Sequence, residues 1–153
     1  MPLQPQWAQH NVLILLRVHC VSVVRSYKVN GMEDDNPQFT IPEITPLELV
    51  ARLQAEPALV LLDVREPFEL TRARLSDPRV VYAPLSELAR RQLDALPAAA
   101  HDSDTPLVVF CHMGQRSAQV VYWLREIGWS HVVNLSGGIH AYASQVDRSI
   151  GFY

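Results

Sequence analysis

Residues 106–117, Pro-Leu-Val-Val-Phe-Cys-His-Met-Gly-Gln-Arg-Ser, decide how the rest of the chain is read. After Pro106, the run Leu107, Val108, Val109 and Phe110 is short, apolar and rich in β-branched residues, which predicts a buried strand over 107–111. Residues 117–127 then predict a helix, ended by Gly128. Cys111 is thereby expected at the carboxyl end of a strand, facing loop N–H groups and a helix N-terminus, where α/β proteins bind anions. A lone cysteine closing an apolar strand would by itself read as a small buried hydrophobe. The polar loop after it, with Gly114, Arg116 and Ser117, points instead to a reactive thiol.

A magnitude shows what that thiol needs. With an ordinary pKa of about 8.5, a cysteine is only a few per cent thiolate at neutral pH, and half-ionisation requires about 2 kcal/mol of help. A helix dipole contributes about 0.3 to 1 kcal/mol, so loop N–H groups and the fixed charge of Arg116 must supply the rest. Gly114 is the residue that lets the loop curl, through a positive φ or a close backbone approach.

The same alternation runs along the chain. Strands are expected at 59–63, 80–82, 107–111 and 132–135, with a short first strand at 39–41. Helices are expected at 45–56, 86–96, 117–127 and 139–147. Thr45-Pro46-Leu47-Glu48 supplies a capping box with proline at the first helical position, and Leu49, Val50 and Leu53 an apolar face. Alternation of this kind implies a parallel sheet with right-handed crossovers and helices on both faces, so that loops after the strands converge on one crevice. Trp123, Leu124 and Ile127, at helical spacing, read as core. Arg90 and Arg91 read as solvated helix charges.

Several stretches together resemble the rhodanese-like sulfurtransferases. Cys111-His112-Met113-Gly114-Gln115-Arg116-Ser117 is similar to that family's active-site loop, and Asp63-Val64-Arg65-Glu66, with Glu69, to its Asp-x-Arg-x-x-x-Glu opening. Val81-Tyr82-Ala83-Pro84-Leu85-Ser86-Glu87-Leu88 resembles its third strand and next helix start, and Asn134-Leu135-Ser136-Gly137-Gly138 its late double-glycine turn. Two departures stand out. Ala73-Arg74-Leu75-Ser76-Asp77-Pro78 replaces the usual Gly-His-Ile-x-Gly-Ala, and Tyr142 stands where tryptophan is usual.

The resemblance implies an α/β three-layer fold, a five-stranded mainly parallel sheet with helices on both faces, over residues 39–148. It also implies Cys111 as nucleophile. Arg116, His112, Met113, Gly114, Gln115 and Ser117 would form the substrate-binding loop, with Asp63 and Arg65 as a supporting ion pair. His112 is expected to face solvent, with proton transfer as its lesser role, while Met113 and Gln115 shape the entrance.

The implied reaction is a double displacement, in which Cys111 takes sulfane sulfur from thiosulfate or a persulfide and passes it to a thiol acceptor. No cofactor or metal is expected. The partners are a small anionic sulfur donor and a thiol acceptor, or a protein persulfide. A phosphatase or arsenate reductase is the alternative, but Cys111 and Arg116 enclose four residues where the phosphatase relatives enclose five. A third reading is a persulfide carrier or binding module that acts with a partner enzyme.

Composition sets the frame. At 153 residues, 48% apolar and a formal charge of −3, the chain can bury one core and presents no basic footprint for nucleic acid. Cys20 and Cys111 make no disulfide framework, and the six histidines show no zinc-ligand spacing, which fits free thiols in a reducing, cytoplasmic setting. Residues 1–31 read as an atypical extension, with Arg17, Arg25 and Lys28 but no acidic residue. Its apolar stretch, 12–24, is broken by Arg17 and His19 and is too short for a membrane span. Met32 is the expected true start.

Overall fold

The short apolar runs become strands, and they pair in parallel throughout. The computed structural model describes residues 40–153, and the compact unit within them runs Ile41–Tyr153. The expectations placed on residues 1–31, Cys20, Met32 and Phe39 lie outside the described residues. In chain order the elements are β1 (Glu43–Ile44), α1 (Pro46–Ala55), β2 (Val60–Asp63), β3 (Val80–Tyr82), α2 (Leu85–Arg91), β4 (Leu107–Phe110), α3 (Gln115–Glu126), β5 (Val132–Leu135) and α4 (Gly138–Gln145). Short 3-10 turns occupy Pro67–Glu69, Gln92–Ala95, Ala98–Ala100 and Arg148–Ile150.

The strand order is β1-β5-β4-β2-β3, with every pairing parallel. After β2 the chain adds β3 on one side, then returns to place β4 on the other. Loops leaving the adjacent ends of β2 and β4 therefore diverge, and an open α/β sheet has its crevice at such a switch point. Asp63 and Phe110 are register partners there, so the two candidate loops start side by side.

Period-two alternation divides the sheet between two helical layers. Leu61, Val108, Phe110 and Leu135 join Leu49 of α1 and Ile139 and Tyr142 of α4 in one cluster. Leu62, Leu107 and Val109 are equally buried, as are Leu88 of α2 and Val120, Val121 and Leu124 of α3. Tyr142 thus fills a core position. Ala73 and Leu75, from the stretch that departs from the family pattern, also enter that first cluster, and Arg79 pins the stretch by pairing with Asp77 at 2.8 Å and donating to the Leu53 carbonyl.

Several boundaries move from those expected. The first strand is Glu43–Ile44 rather than 39–41, held by β5 alone. The helix expected over 86–96 ends at Arg91, because Gln92 takes a left-handed φ of 54° and the chain tightens into a 3-10 turn. The helix expected from 117 begins at Gln115, so β4 and α3 are separated by only four residues. The helix expected over 139–147 is Gly138–Gln145. The unit also runs past 148, since Ile150 and Tyr153 pack against the core. The capping box forms as expected, with the Glu48 N–H donating to Thr45 Oγ1 at 3.2 Å and the Thr45 N–H to Glu48 Oε2 at 2.6 Å.

Candidate active site

The loop after β4 is a shallow cradle built on Gly114. This glycine has φ of 92°, so it turns the chain straight into α3. A Cβ there would lie 3.0 Å from the Gly137 nitrogen and 3.2 Å from the Leu135 carbonyl oxygen, tighter than a side chain normally tolerates. Behind it, Gly138 runs so close that a Cβ would overlap the carbonyl oxygens of Cys111 and His112. Those two carbonyls accept the N–H groups of Ile139 and His140, at 2.9 and 3.1 Å, and so cap the first turn of α4. Because carbonyl and N–H point oppositely across a trans peptide, the N–H groups of His112 and Met113 are turned away from α4.

Cys111 lies at the floor of this cradle, only 1% exposed. Its Sγ accepts hydrogen bonds from the Gly114 N–H at 3.1 Å and the Ser117 hydroxyl at 3.3 Å. Gln115, Arg116 and Ser117 form the first turn of α3, where N–H groups have no acceptor within the helix. Donors and the positive end of α3 thus surround the sulfur, an arrangement suited to a thiolate, a persulfide or a bound oxyanion. Asn134, fully buried on β5, ties the cradle down: its Nδ2 donates to the Gly114 carbonyl at 3.1 Å and to Glu43 at 2.7 Å.

The loop after β2 supplies the charged wall. Arg65 is fully buried and pairs with Asp63, Nε to Oδ1 at 2.9 Å and Nη2 to Oδ2 at 2.7 Å, while Nη1 donates to the Ala73 carbonyl at 2.9 Å. Glu69 reaches across the crevice and takes both terminal nitrogens of Arg116, each at 2.7 Å. Burial pushes the Glu69 carboxyl up, but the Arg116 fork, the Glu66 N–H and the Tyr153 hydroxyl outweigh it and hold it at about 2. The Glu69 hydrogen bonds raise Arg116 in turn, against its burial, and attraction to Cys111 adds to them.

The nine sequence-predicted residues fall into place unevenly. Cys111, Gly114, Ser117 and Arg116 converge on the sulfur's surroundings. Met113, 52% exposed, and the exposed Gln115 stand at the outer edge. Asp63 and Arg65 form the expected ion pair, one step back from the sulfur. His112 differs from expectation: its ring does not face solvent but stacks on Tyr153, with centroids 4.0 Å apart and planes 15° apart. Burial lowers its pKa, so the neutral ring is favoured. Arg116 also differs in detail, since its charge is shared with Glu69.

Sequence reasoning left three residues of the site without a role. Glu69 was visible as the end of the Asp-x-Arg-x-x-x-Glu pattern, and Asn134 as the start of the double-glycine stretch. Tyr153 carried no local signal at all. Among the described residues, no three His, Cys, Asp or Glu side chains group where an ion could be held, and no helix is long and apolar enough to cross a membrane.

Comparison with known proteins bears on this geometry. The model of the rhodanese-like domain matches residues 45–145. The chain is 40% identical over 93 residues to the chloroplastic rhodanese-like/PpiC domain-containing protein 12 of Arabidopsis thaliana, covering 61% of this chain and 30% of that protein. It is 33% identical over 130 residues to the adenylyltransferase and sulfurtransferase MOCS3 of Drosophila grimshawi, covering 82% of this chain and 28% of that one. It therefore spans less than a third of the length of either relative. A rhodanese-related protein from Thermoplasma volcanium superposes with a TM-score of 0.56 at 30% identity, covering 69% of this chain and 93% of that one.

Proposed function

The chain belongs to the rhodanese-like domain family, which has a sulfurtransferase among the relatives matched here, and from that premise we propose that it moves sulfane sulfur through a persulfide on Cys111. The thiolate of Cys111 attacks the outer sulfur of thiosulfate, the donor's S–S bond breaks, and sulfite leaves with the bonding pair. With a persulfide donor the leaving group is the donor's own thiolate. A nucleophilic acceptor, a thiolate or cyanide, then attacks the outer sulfur and Cys111 departs as thiolate. No oxidant or cofactor is required.

The observation that carries this reading is the pair of hydrogen bonds received by Sγ, from Gly114 and Ser117, at the mouth of the α3 N-terminus. The same donors suit the charge on a persulfide's outer sulfur. Burial of Cys111 favours a reactant that can insert one terminal sulfur atom. The four-residue separation between Cys111 and Arg116 supports sulfur over the larger tetrahedral oxyanion of a phosphate ester.

A protein as donor or acceptor is the reading of the partner that the surface favours. Leu47, Phe68, Met113 and Phe152 are the large apolar side chains left exposed among the described residues. Leu47, Phe68 and Met113 follow β1, β2 and β4 respectively, and Phe152 contacts His140 in the first turn of α4, so all four belong to the edge that carries Cys111. An apolar rim of this kind suits a macromolecular surface better than a free dianion. A reducing compartment such as the cytoplasm would keep Cys111 competent.

The test is thiocyanate formation from thiosulfate and cyanide, with intact mass after donor treatment and a phosphate-ester assay alongside. We expect a gain of about 32 Da at Cys111 and, in Cys111→Ser, a loss of at least about 1,000-fold in transfer. Transfer retained by the serine variant, or ester hydrolysis without sulfur transfer, would overturn the proposal.

A further inference from the structure

Tyr153 lies 88 residues from Arg65 and 84 from Glu69 in sequence, yet its hydroxyl sits between them. It accepts from Arg65 Nη1 at 3.2 Å and donates to Glu69 Oε1 at 2.8 Å. A phenol has one proton to give and lone pairs to receive, so this single group can join a guanidinium to a carboxylate without conflict. Glu69 Oε1 is also the oxygen that takes Arg116 Nη2. The two ion pairs of the site are therefore one chain of hydrogen bonds, Asp63 to Arg65 to Tyr153 to Glu69 to Arg116, with Tyr153 as its middle member.

The ring has a second contact. It stacks on His112 at 4.0 Å, and the His112 carbonyl is held from the other side by the His140 N–H. The residue after Cys111 is thus gripped between α4 and Tyr153. The segment that delivers the tyrosine is itself seated: the Arg74 N–H donates to the Ile150 carbonyl at 2.9 Å. Gly151, with φ of 99°, passes so near Arg72 that a Cβ would overlap its carbonyl oxygen.

We propose that Tyr153 is a positioning residue of the sulfur-transfer site, its hydroxyl setting Glu69 and so the aim of Arg116, and its ring setting the loop after Cys111. The proposal rests on the sulfur-transfer reading for its purpose, but its geometry has a readout of its own. Arg116 bears charge toward whatever approaches Cys111, so its alignment shows in the preference for an anionic over a neutral alkylating reagent. Fixing the hydroxyl's role separately from the ring's requires two variants.

Tyr153→Phe keeps the stack and loses the hydroxyl; Tyr153→Leu loses both. For Tyr153→Phe, the ratio of iodoacetate to iodoacetamide alkylation rates at Cys111 should fall about threefold or more, with the iodoacetamide rate itself unchanged. In turnover with thiosulfate, KM should rise about three- to tenfold while kcat stays within about twofold. For Tyr153→Leu the iodoacetamide rate should also rise, because the loop over the buried sulfur is released.

A Tyr153→Phe protein with a lowered melting temperature but wild-type alkylation ratio and KM would reduce Tyr153 to a packing residue and overturn the inference. If Tyr153→Leu does not fold, Tyr153→Phe alone decides. A wild-type protein that transfers no sulfur defeats the proposed reaction, whereas the alkylation ratio still decides what Tyr153 does to Arg116.

Discussion

Asp63–Arg65 and Glu69–Arg116 are the same chemical pair set at two depths. In the first, the side chains are 0% exposed for Arg65 and 4% for Asp63; in the second, 32% for Arg116 and 5% for Glu69. Arg65 directs its side-chain donors inward, to both Asp63 oxygens, the Ala73 carbonyl and Tyr153, with the Phe110 ring 5.9 Å from its guanidinium carbon. Arg116 gives one bond from each terminal nitrogen to Glu69, which leaves others of its five N–H donors outside that fork. The first pair closes a loop on itself across two residues. The second spans 47 residues and joins the two loops of the switch point. Depth thus separates a closed internal brace from a pair that still meets water, although both join a carboxylate to a guanidinium.

The contrast can be broken most forcefully at the deeper pair. Arg65→Ala leaves the Asp63 carboxylate buried without its cation and the Ala73 carbonyl without its donor. Loss of one partner of a buried pair costs about 3 to 5 kcal/mol, a large part of the stability of a domain this size. Urea unfolding of the variant should show that loss, with turnover per folded molecule falling less than the stability does. A change below about 1 kcal/mol would mean that Arg65 is not a brace.

Glu69→Gln sharpens the comparison through pH. The carboxyl of Glu69 is held at about 2 against an ordinary value near 4.5. A depressed carboxylate contributes stability that is complete above its unfolded value and fades as pH falls through the folded one. The wild type should therefore lose about 2 to 3 kcal/mol between pH 4.5 and 2 from this group, a figure reduced from the full shift because Arg116 touches water. Glu69→Gln should show a flatter acid limb and a smaller difference from the wild type at low pH than at neutrality. Equal slopes for the two proteins in urea titrations from pH 5 to about 2 would remove Glu69 from the account.

What the sequence disclosed about these regions follows how local each signal is. Strands β2 to β5 were legible because short apolar runs lie between polar breaks, and α1 because Thr45, Pro46 and Glu48 announce it within four residues. The start of α3 was not, since Gln115 and Arg116 suit a helix or a loop equally and only the left-handed turn at Gly114 decides. Strand β1, two residues long, exists because β5 completes it: the Asn134 N–H donates to the Pro42 carbonyl and the Ser136 N–H to the Ile44 carbonyl. The thiol and its cradle were readable as one heptapeptide. The Glu69–Arg116 fork and Tyr153 were not, because their partners are brought together by the strand order and the path of residues 148–153, which no window of sequence contains.

The smallest expected effect completes the ordering by depth. Arg90 on α2 pairs with Glu87 at 2.6 Å, with side chains 68% and 38% exposed. Both groups keep their water, so forming the pair exchanges one well-solvated state for another and also orders two long side chains. Arg90→Ala should shift stability by no more than about 0.5 kcal/mol and should become indistinguishable from the wild type in high salt. It should leave thiocyanate formation unchanged, because α2 touches neither loop carrying the sulfur site through this residue. If instead Arg90→Ala cost as much as Glu69→Gln, exposure would not be what separates these pairs, and the contrast between Asp63–Arg65 and Glu69–Arg116 would need another physical basis.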